Sequence, residues 1–259
     1  MEAISSHFEN LSVTDKKQLT KEEKKEAAQA KKEAAQAKKD AKKEAKVKAE
    51  EKLKTRQAKN AEKELAIFNI TGIRLTAGET QTKKWRQEQD WWFGGKVSEC
   101  EKYQRRSLEK VIGQTVSKTN LRLHKRKHNM QDKRWPKNEK GGNSWTEDFD
   151  GMFVIEKTRY LVDFKSTVES GGAQTRTIRE GLAPFITAQL DYLVKHPEDT
   201  NTRFVNLLDG EILYKETREA YETNKASLWD DFDLPEYKNV KTYVYVGDTL
   251  NFCHKYINK

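Results

Sequence analysis

Apolar positions follow two regimes along the chain. Between residues 24 and 64 almost nothing is large and apolar; Val47 and Leu53 stand alone among Lys, Ala, Glu and Gln. The segment KKEAAQA at residues 24–30 repeats unchanged at 31–37. These residues are strong helix formers, and Glu and Lys recur at the spacing that adds side-chain pairs. Without an apolar stripe such a helix has no face to bury, and without apolar a and d positions it has no coiled-coil seam. The pattern predicts a long, exposed, fraying helix with a disordered start over residues 1–65, and a folded domain over residues 66–259.

In the second regime apolar residues recur at structural periods. Residues 66–75 are apolar and β-branched around Gly72 and read as a first strand. Residues 98–113 read as a helix. Ser98 is a good N-cap with Glu101 three residues on, Cys100, Leu108, Val111 and Ile112 form a stripe, and Gly113 is the C-cap. Residues 116–123 alternate well enough for a strand. Residues 152–155 and 160–162 are short apolar runs on either side of the charged break 156–159, the pattern of two strands and a tight turn. Residues 182–196 read as a helix with Pro184 in its first turn and Ile186, Leu190, Leu193 and Val194 on its apolar face. Residues 203–208 form another strand, ended by Asp209-Gly210 and extended as a hairpin by 212–215. Residues 216–229 look helical, and 240–246 and 250–256 close the chain as two strands. The order of helix, strands, helix and strand predicts an α/β fold: a central mixed sheet flanked by helices, with a long charged N-terminal helical extension.

Strand periodicity also places chemistry. Residues two apart share a face, so Asp163 and Lys165 point one way and Phe164 the other. A hairpin near Thr158 brings Asp150 close to Asp163. Two carboxylates and one ammonium then converge on one side of a small sheet. Hard divalent cations such as magnesium take carboxylate oxygens, water and a substrate phosphate. A bound cation lowers the pKa of its water and stabilises charge on a phosphoryl oxygen. A nearby Lys can orient that water or neutralise developing charge. Asp230, Asp231 and Asp233 could imitate such a site. With Pro235 close by and no strand Lys, they read as a solvated turn.

Asp150-Gly151, eleven intervening residues, and then Asp163-Phe164-Lys165-Ser166 resemble the PD-(D/E)XK nuclease superfamily. Phe149 stands where that family usually has proline. The resemblance covers about residues 94–208. It implies that Asp150 and Asp163 hold Mg2+, with Mn2+ able to substitute, that the Phe164 carbonyl is a third ligand, and that Lys165 positions or activates water. A helix ahead of the acidic strands often supplies a Glu to the metal. Glu101 is the match, with Glu99 and Glu109 behind it; Glu101 can equally be a plain helix cap. Gln189 and Tyr192, three apart on the following helix, resemble the Q-x-x-Y of the RecB-like exonuclease branch, where both face the active site. Some relatives add a His ligand, for which His124 and His128 are available. The activity implied is a magnesium-dependent DNA nuclease, preferably an exonuclease on DNA ends or single strands. The alternatives are a restriction-type endonuclease of the same superfamily, or a non-catalytic nucleic-acid-binding protein on a degenerate nuclease fold.

Charge extends this picture. The chain has a net charge of +9 and a pI near 9.2, which suits a polyanionic partner. Nine Lys or Arg lie between residues 118 and 140 against Asp132 and Glu139. Lys125, Arg126, Lys127, Lys133 and Arg134, interleaved with His124, His128 and Trp135, are candidates for phosphate contact. Arg176 and Arg179 lie in the loop after the D-x-K strand and join that set. Trp85, Trp91, Trp92 and Phe93 could stack on bases, although core packing is the commoner use of such a cluster. Cys100 and Cys253 are too few for a disulfide framework or a metal set. No apolar run is long enough to span a membrane, and the N-terminus lacks a signal peptide's apolar core. A soluble, intracellular protein is expected.

Overall fold

A computed structural model describes residues 13–94, 98–132, 144–169, 181–214 and 234–258. The predicted helix at 216–229 and the Asp230–Asp233 turn lie outside them. The chain divides into two compact units, Met1–Lys59 and Asn60–Lys259.

The first unit is helical from Val13, within a helix α1 assigned to Val13–Thr71. Where its side chains are described through Thr55 they are exposed, as a stripe-free sequence requires. Local i,i+4 pairs are its visible support: Glu44 with Lys48 at 2.6 Å, and Gln29 with Glu33 at 3.0 Å. Each such pair is worth only about 0.2–0.5 kcal/mol.

The second unit opens on the end of α1. Here the sequence expectation fails: residues 66–71 are helical, not a strand. The chain enters them already helical, and Ile67 finds core contacts at helical spacing, with 0% exposure. The helix stops at Gly72, whose φ of 70° is a left-handed C-terminal conformation. A short helix α2 (Lys83–Gln87) is capped by the Thr82 side chain. Helix α3 (Ser98–Ile112) follows, ended by Gly113 at φ 71°. Strands β1 (Leu121–Leu123) and β2 (Met130–Asp132) form a small antiparallel pair. The main sheet comprises β3 (Gly151–Ile155), β4 (Thr158–Ser166), β5 (Thr202–Asp209) and β6 (Val244–Gly247), in that spatial order. β3 and β4 are antiparallel, while β4, β5 and β6 are parallel. The sheet is therefore mixed, as expected.

Helix α4 (Ala183–Lys195) links β4 to β5. Residues 211–214 form a helical turn α5 (Glu211–Tyr214), not the expected hairpin arm. The last element also departs from expectation. Residues 250–256 belong to helix α6 (Thr249–Ile257), whose N-cap Asp248 accepts a bond from the Asn251 N–H at 2.8 Å.

Two packed layers cover the sheet. One face presents Leu161 and Phe204, both 0% exposed, to Phe185, Tyr192 and Leu193 of α4. The other presents Val162, Phe164, Val205 and Leu207 to Leu108 of α3 and to Leu250, Phe252 and Cys253 of α6. Each fully buried aliphatic or aromatic side chain stabilises the fold by about 1.5–3 kcal/mol.

Gly210 ends β5 at φ 98°, and a Cβ there would lie 2.2 Å from the Thr167 carbonyl oxygen. Gly210→Ala is expected to cost about 2 kcal/mol or more, since strain and clash add. Urea unfolding of the two proteins measures it, and an equal midpoint would refute the reading.

Candidate active site

The β3–β4 hairpin turns through two residues, Glu156 and Lys157, between the paired Ile155 and Thr158. Glu156 takes φ 54° to make that turn. Pairing of Gly151 with Val162 places Asp150 opposite Asp163, at the end of β3. Asp163 in turn registers with Asn206, and Lys165 with Leu208. Alternation thus puts Asp163 and Lys165 on the α4 face, with Phe164 on the α3 face.

Asp150 is held from three directions. Its Oδ2 accepts the Phe164 N–H at 2.8 Å. Its backbone carbonyl accepts Arg105 Nη2 at 2.7 Å, while Arg105 Nη1 reaches the Val116 carbonyl at 2.8 Å. Phe149 anchors the preceding residue. It is 0% exposed and its ring lies 5.0 Å from Phe185 and 5.4 Å from Phe204. The Phe149 N–H also donates to Leu121 O at 3.1 Å. A proline there would lack both that donor and the ring.

Asp163 is 0% exposed, and neither of its carboxylate oxygens accepts a well-formed hydrogen bond. Its contact is the Lys165 ammonium, 3.1 Å from Oδ1. A carboxylate this deeply buried, with one ammonium as its contact, is costly to keep charged. Burial accordingly pushes Asp163 up to about 8, against the pull of Lys165 and with the charges of Asp150 and Glu147 adding to it. Lys165 also pairs with Glu147 Oε2 at 3.0 Å and keeps 28% of its side chain exposed. Burial opposes its charge, but Asp163, Glu147 and Asp150 outweigh it and push the ammonium upward. Burial, followed by the charge of Asp150, raises Glu101, with Lys165 and Arg105 pulling it down. Glu101 therefore lies within electrostatic reach of the same group. The alternatives on its helix are engaged elsewhere: Glu99 accepts the Phe93 N–H at 3.2 Å, and Glu109 accepts the Val116 N–H at 2.9 Å.

Not every expected residue joins this group. Gln189 is fully buried and exchanges two 2.9 Å bonds with Asn206, the β5 neighbour of Asp163. It stands one residue behind the carboxylate. The Tyr192 hydroxyl donates to Asp199 at 2.7 Å, and its ring packs edge-on to Phe204 at 5.8 Å. His124 Nδ1 accepts the N–H groups of Arg126 (3.1 Å) and Lys127 (3.0 Å), while His128 Nδ1 faces Asp191 at 3.7 Å. Among the described residues no three His, Cys, Asp or Glu side chains are grouped closely enough to surround a metal ion.

Lys125, Arg126 and Lys127 are exposed in the turn between β1 and β2. Lys133, Arg134, Arg176 and Arg179 lie outside the described residues. The tryptophan cluster is mostly internal packing: Trp91 stacks on Tyr103 at 4.8 Å, and Trp85 meets both edge-on at 6.0 and 5.8 Å. Phe93 alone stands out, 85% exposed.

The sequence reading missed three residues that build the site. Glu147 lies outside the Asp150 to Lys165 pattern and is brought in only by its ion pair with Lys165. Asn206 carried no motif. Gln104, buried on α3, donates to the Lys165 and Leu207 carbonyls at 3.2 and 3.1 Å and to Asp209 at 2.9 Å.

No protein-family model, curated protein or solved structure matches the chain. No helix among the described residues is long and apolar enough to cross a membrane.

Proposed function

We propose that this chain is a metal-dependent nuclease of the PD-(D/E)XK type that hydrolyses phosphodiester bonds in DNA. One observation carries the reading: a fully buried Asp163 whose oxygens accept no well-formed hydrogen bond, beside Lys165 and opposite Asp150. Buried polar atoms are normally satisfied. Two oxygens left this way on a carboxylate suit a cation better than they suit a structural ion pair.

Asp163 and Asp150 would hold Mg2+ or Mn2+, with Glu101 and the Phe164 carbonyl as the further candidates for the set. Such an ion supplies Lewis-acid stabilisation of phosphoryl charge and a more acidic bound water. The protein's own groups do the rest. Arg105 fixes the backbone that carries Asp150. Gln104 holds the Lys165 carbonyl and so the rise of β4. Glu147 holds the Lys165 ammonium at the solvent side, where it can meet a phosphate oxygen or orient water. The exposed Lys125, Arg126 and Lys127 contribute sequence-independent backbone contact.

The exonuclease form remains our preferred version, on the Q-x-x-Y likeness. The engagement of Tyr192 with Asp199 weakens that part, so the assay must separate the forms. Supercoiled circles, linear duplex and single strands are incubated with Mg2+ or EDTA, with Asp163→Asn protein in parallel. Loss of linear DNA only, abolished by EDTA and by the substitution, is the expected result. Cut circles would transfer the reading to an endonuclease. Tight binding without metal-dependent cleavage of any substrate would leave a nucleic-acid-binding protein.

A further inference from the structure

A shallow cleft lies between the starts of β4, β5 and β6 and the exposed end of α6. Tyr160 and Asp163 are an odd number of residues apart on β4, so their side chains point to opposite faces of the sheet. The cleft is lined by Tyr160, Tyr243, Tyr245 and Tyr256, with Arg203 and Lys255 among them and, among the described residues, no acidic side chain.

The rings hold one another in place. Phe252 meets Tyr245 at 5.0 Å edge-on and lies 6.5 Å from Tyr256 at an interplanar angle of 22°. Tyr160 stacks on Phe153 at 4.7 Å. The Arg203 guanidinium lies 3.9 Å over the Tyr243 ring, and its Nη1 is tethered to the Thr200 and Thr202 carbonyls at 2.7 and 2.9 Å. Lys255 is exposed and pairs with no carboxylate among the described residues. Pre-ordered aromatic rings beside two cations match one ligand chemistry: a flat base flanked by phosphates. Acidic peptides would use the cations but not the rings. Duplex DNA would offer phosphates, but its bases are already stacked.

We infer that this cleft takes an unpaired base of a single-stranded nucleic acid, with Arg203 and Lys255 receiving the neighbouring phosphates. The inference goes beyond the cleavage reading and stands without it, because none of the carboxylates takes part.

The test is equilibrium binding of a fluorescein-labelled oligothymidylate, its duplex with oligoadenylate, and heparin, all in EDTA. Because every reading is taken in EDTA, where no metal-dependent cleavage runs, the binding signal is separate from the cleavage reading. Tyr256→Leu is expected to weaken single-strand binding about tenfold, the scale of one stacked base, and to leave the duplex and heparin unaffected. Tyr256→Phe keeps the ring and is expected to bind normally, which guards against a folding artefact. Lys255→Gln is expected to lower the salt slope by about 0.7, one phosphate on a single strand. Equal single-strand affinity in Tyr256→Leu and wild-type protein would overturn the inference. An equal loss on heparin would also overturn it, since the cleft would then be recognising charge alone.

Discussion

Asp163→Asn protein is expected to be more stable than the wild type in EDTA at pH 8, and to lose metal-dependent cleavage by about a thousandfold. The two effects share one cause. Asp163 is 0% exposed and its oxygens accept no well-formed hydrogen bond, so keeping it charged works against folding. An amide of the same shape removes that charge. Losing a charge partner usually strands the other member of a buried pair. Here Lys165 retains Glu147 at 3.0 Å and is 28% exposed, so it stays solvated. The gain should be about 1–3 kcal/mol, the scale of the desolvation penalty of one poorly satisfied buried group. The same amide removes an anionic ligand, and several kcal/mol of lost transition-state stabilisation corresponds to about a thousandfold in rate. Urea unfolding in EDTA reads the first effect and a cleavage time course the second. A substitution that stabilises and leaves cleavage intact would remove Asp163 from the chemistry. One that destabilises would make it a structural ion-pair member.

The clustering of Asp150, Asp163 and Lys165 was legible before the structure. A period-two strand pattern reports faces directly, so Asp163 and Lys165 could be placed on one side and Phe164 on the other. The charged break at 156–159 located the hairpin but not its register: a turn centred on Thr158 would set Asp150 opposite Ser166, whereas the two-residue turn at Glu156-Lys157 sets it opposite Asp163. Tertiary partners were not legible. Asn206 reaches Gln189 across 17 positions, and Gln104 reaches Asp209 across 105; nothing in the local pattern marks either. The end of the chain was misread for a different reason. Leu250 and Phe252 alternate like a strand, but Leu250 and Cys253, both 0% exposed, are also three apart on a helix. The Asp248 cap with Asn251 three residues on was the deciding signal. Residues 66–70 were misread because helicity carried in from α1 outweighs their own β-branched preference, a tertiary and chain-context effect that a local window does not contain.

Gln104 leads to a second buried carboxylate pair, whose effect appears in the pH dependence of folding. Asp209 and Asp248 sit beneath α3 and at the start of α6, 0% and 7% exposed. Asp209 Oδ2 accepts Thr249 Oγ1 at 2.6 Å and Gln104 Nε2 at 2.9 Å, and Oδ1 accepts the Thr249 N–H at 3.1 Å. Burial, followed by the charge of Asp248, still pushes Asp209 up to about 7 from an ordinary 3.8. Between those values the folded chain holds a proton that the unfolded chain has released. The slope of unfolding free energy with pH follows protons bound in the unfolded state minus protons bound in the native one. That difference is negative here, so stability falls as pH rises from about 4 through about 7. The full loss is on the order of 4 kcal/mol for a shift of this size. The measurement is urea unfolding at pH 5 and pH 8 in EDTA, in the Asp163→Asn background so that Asp163 contributes nothing; Glu101 and Asp248, which burial also raises, slope in the same direction. Asp248→Asn is expected to flatten the dependence. It keeps a good cap for α6 and the acceptor for Asn251, while removing the charge that disfavours ionised Asp209. Stability that rises between pH 5 and pH 8, or an unchanged slope in Asp248→Asn, would mean that the pair is relieved by solvent and does not share a buried site.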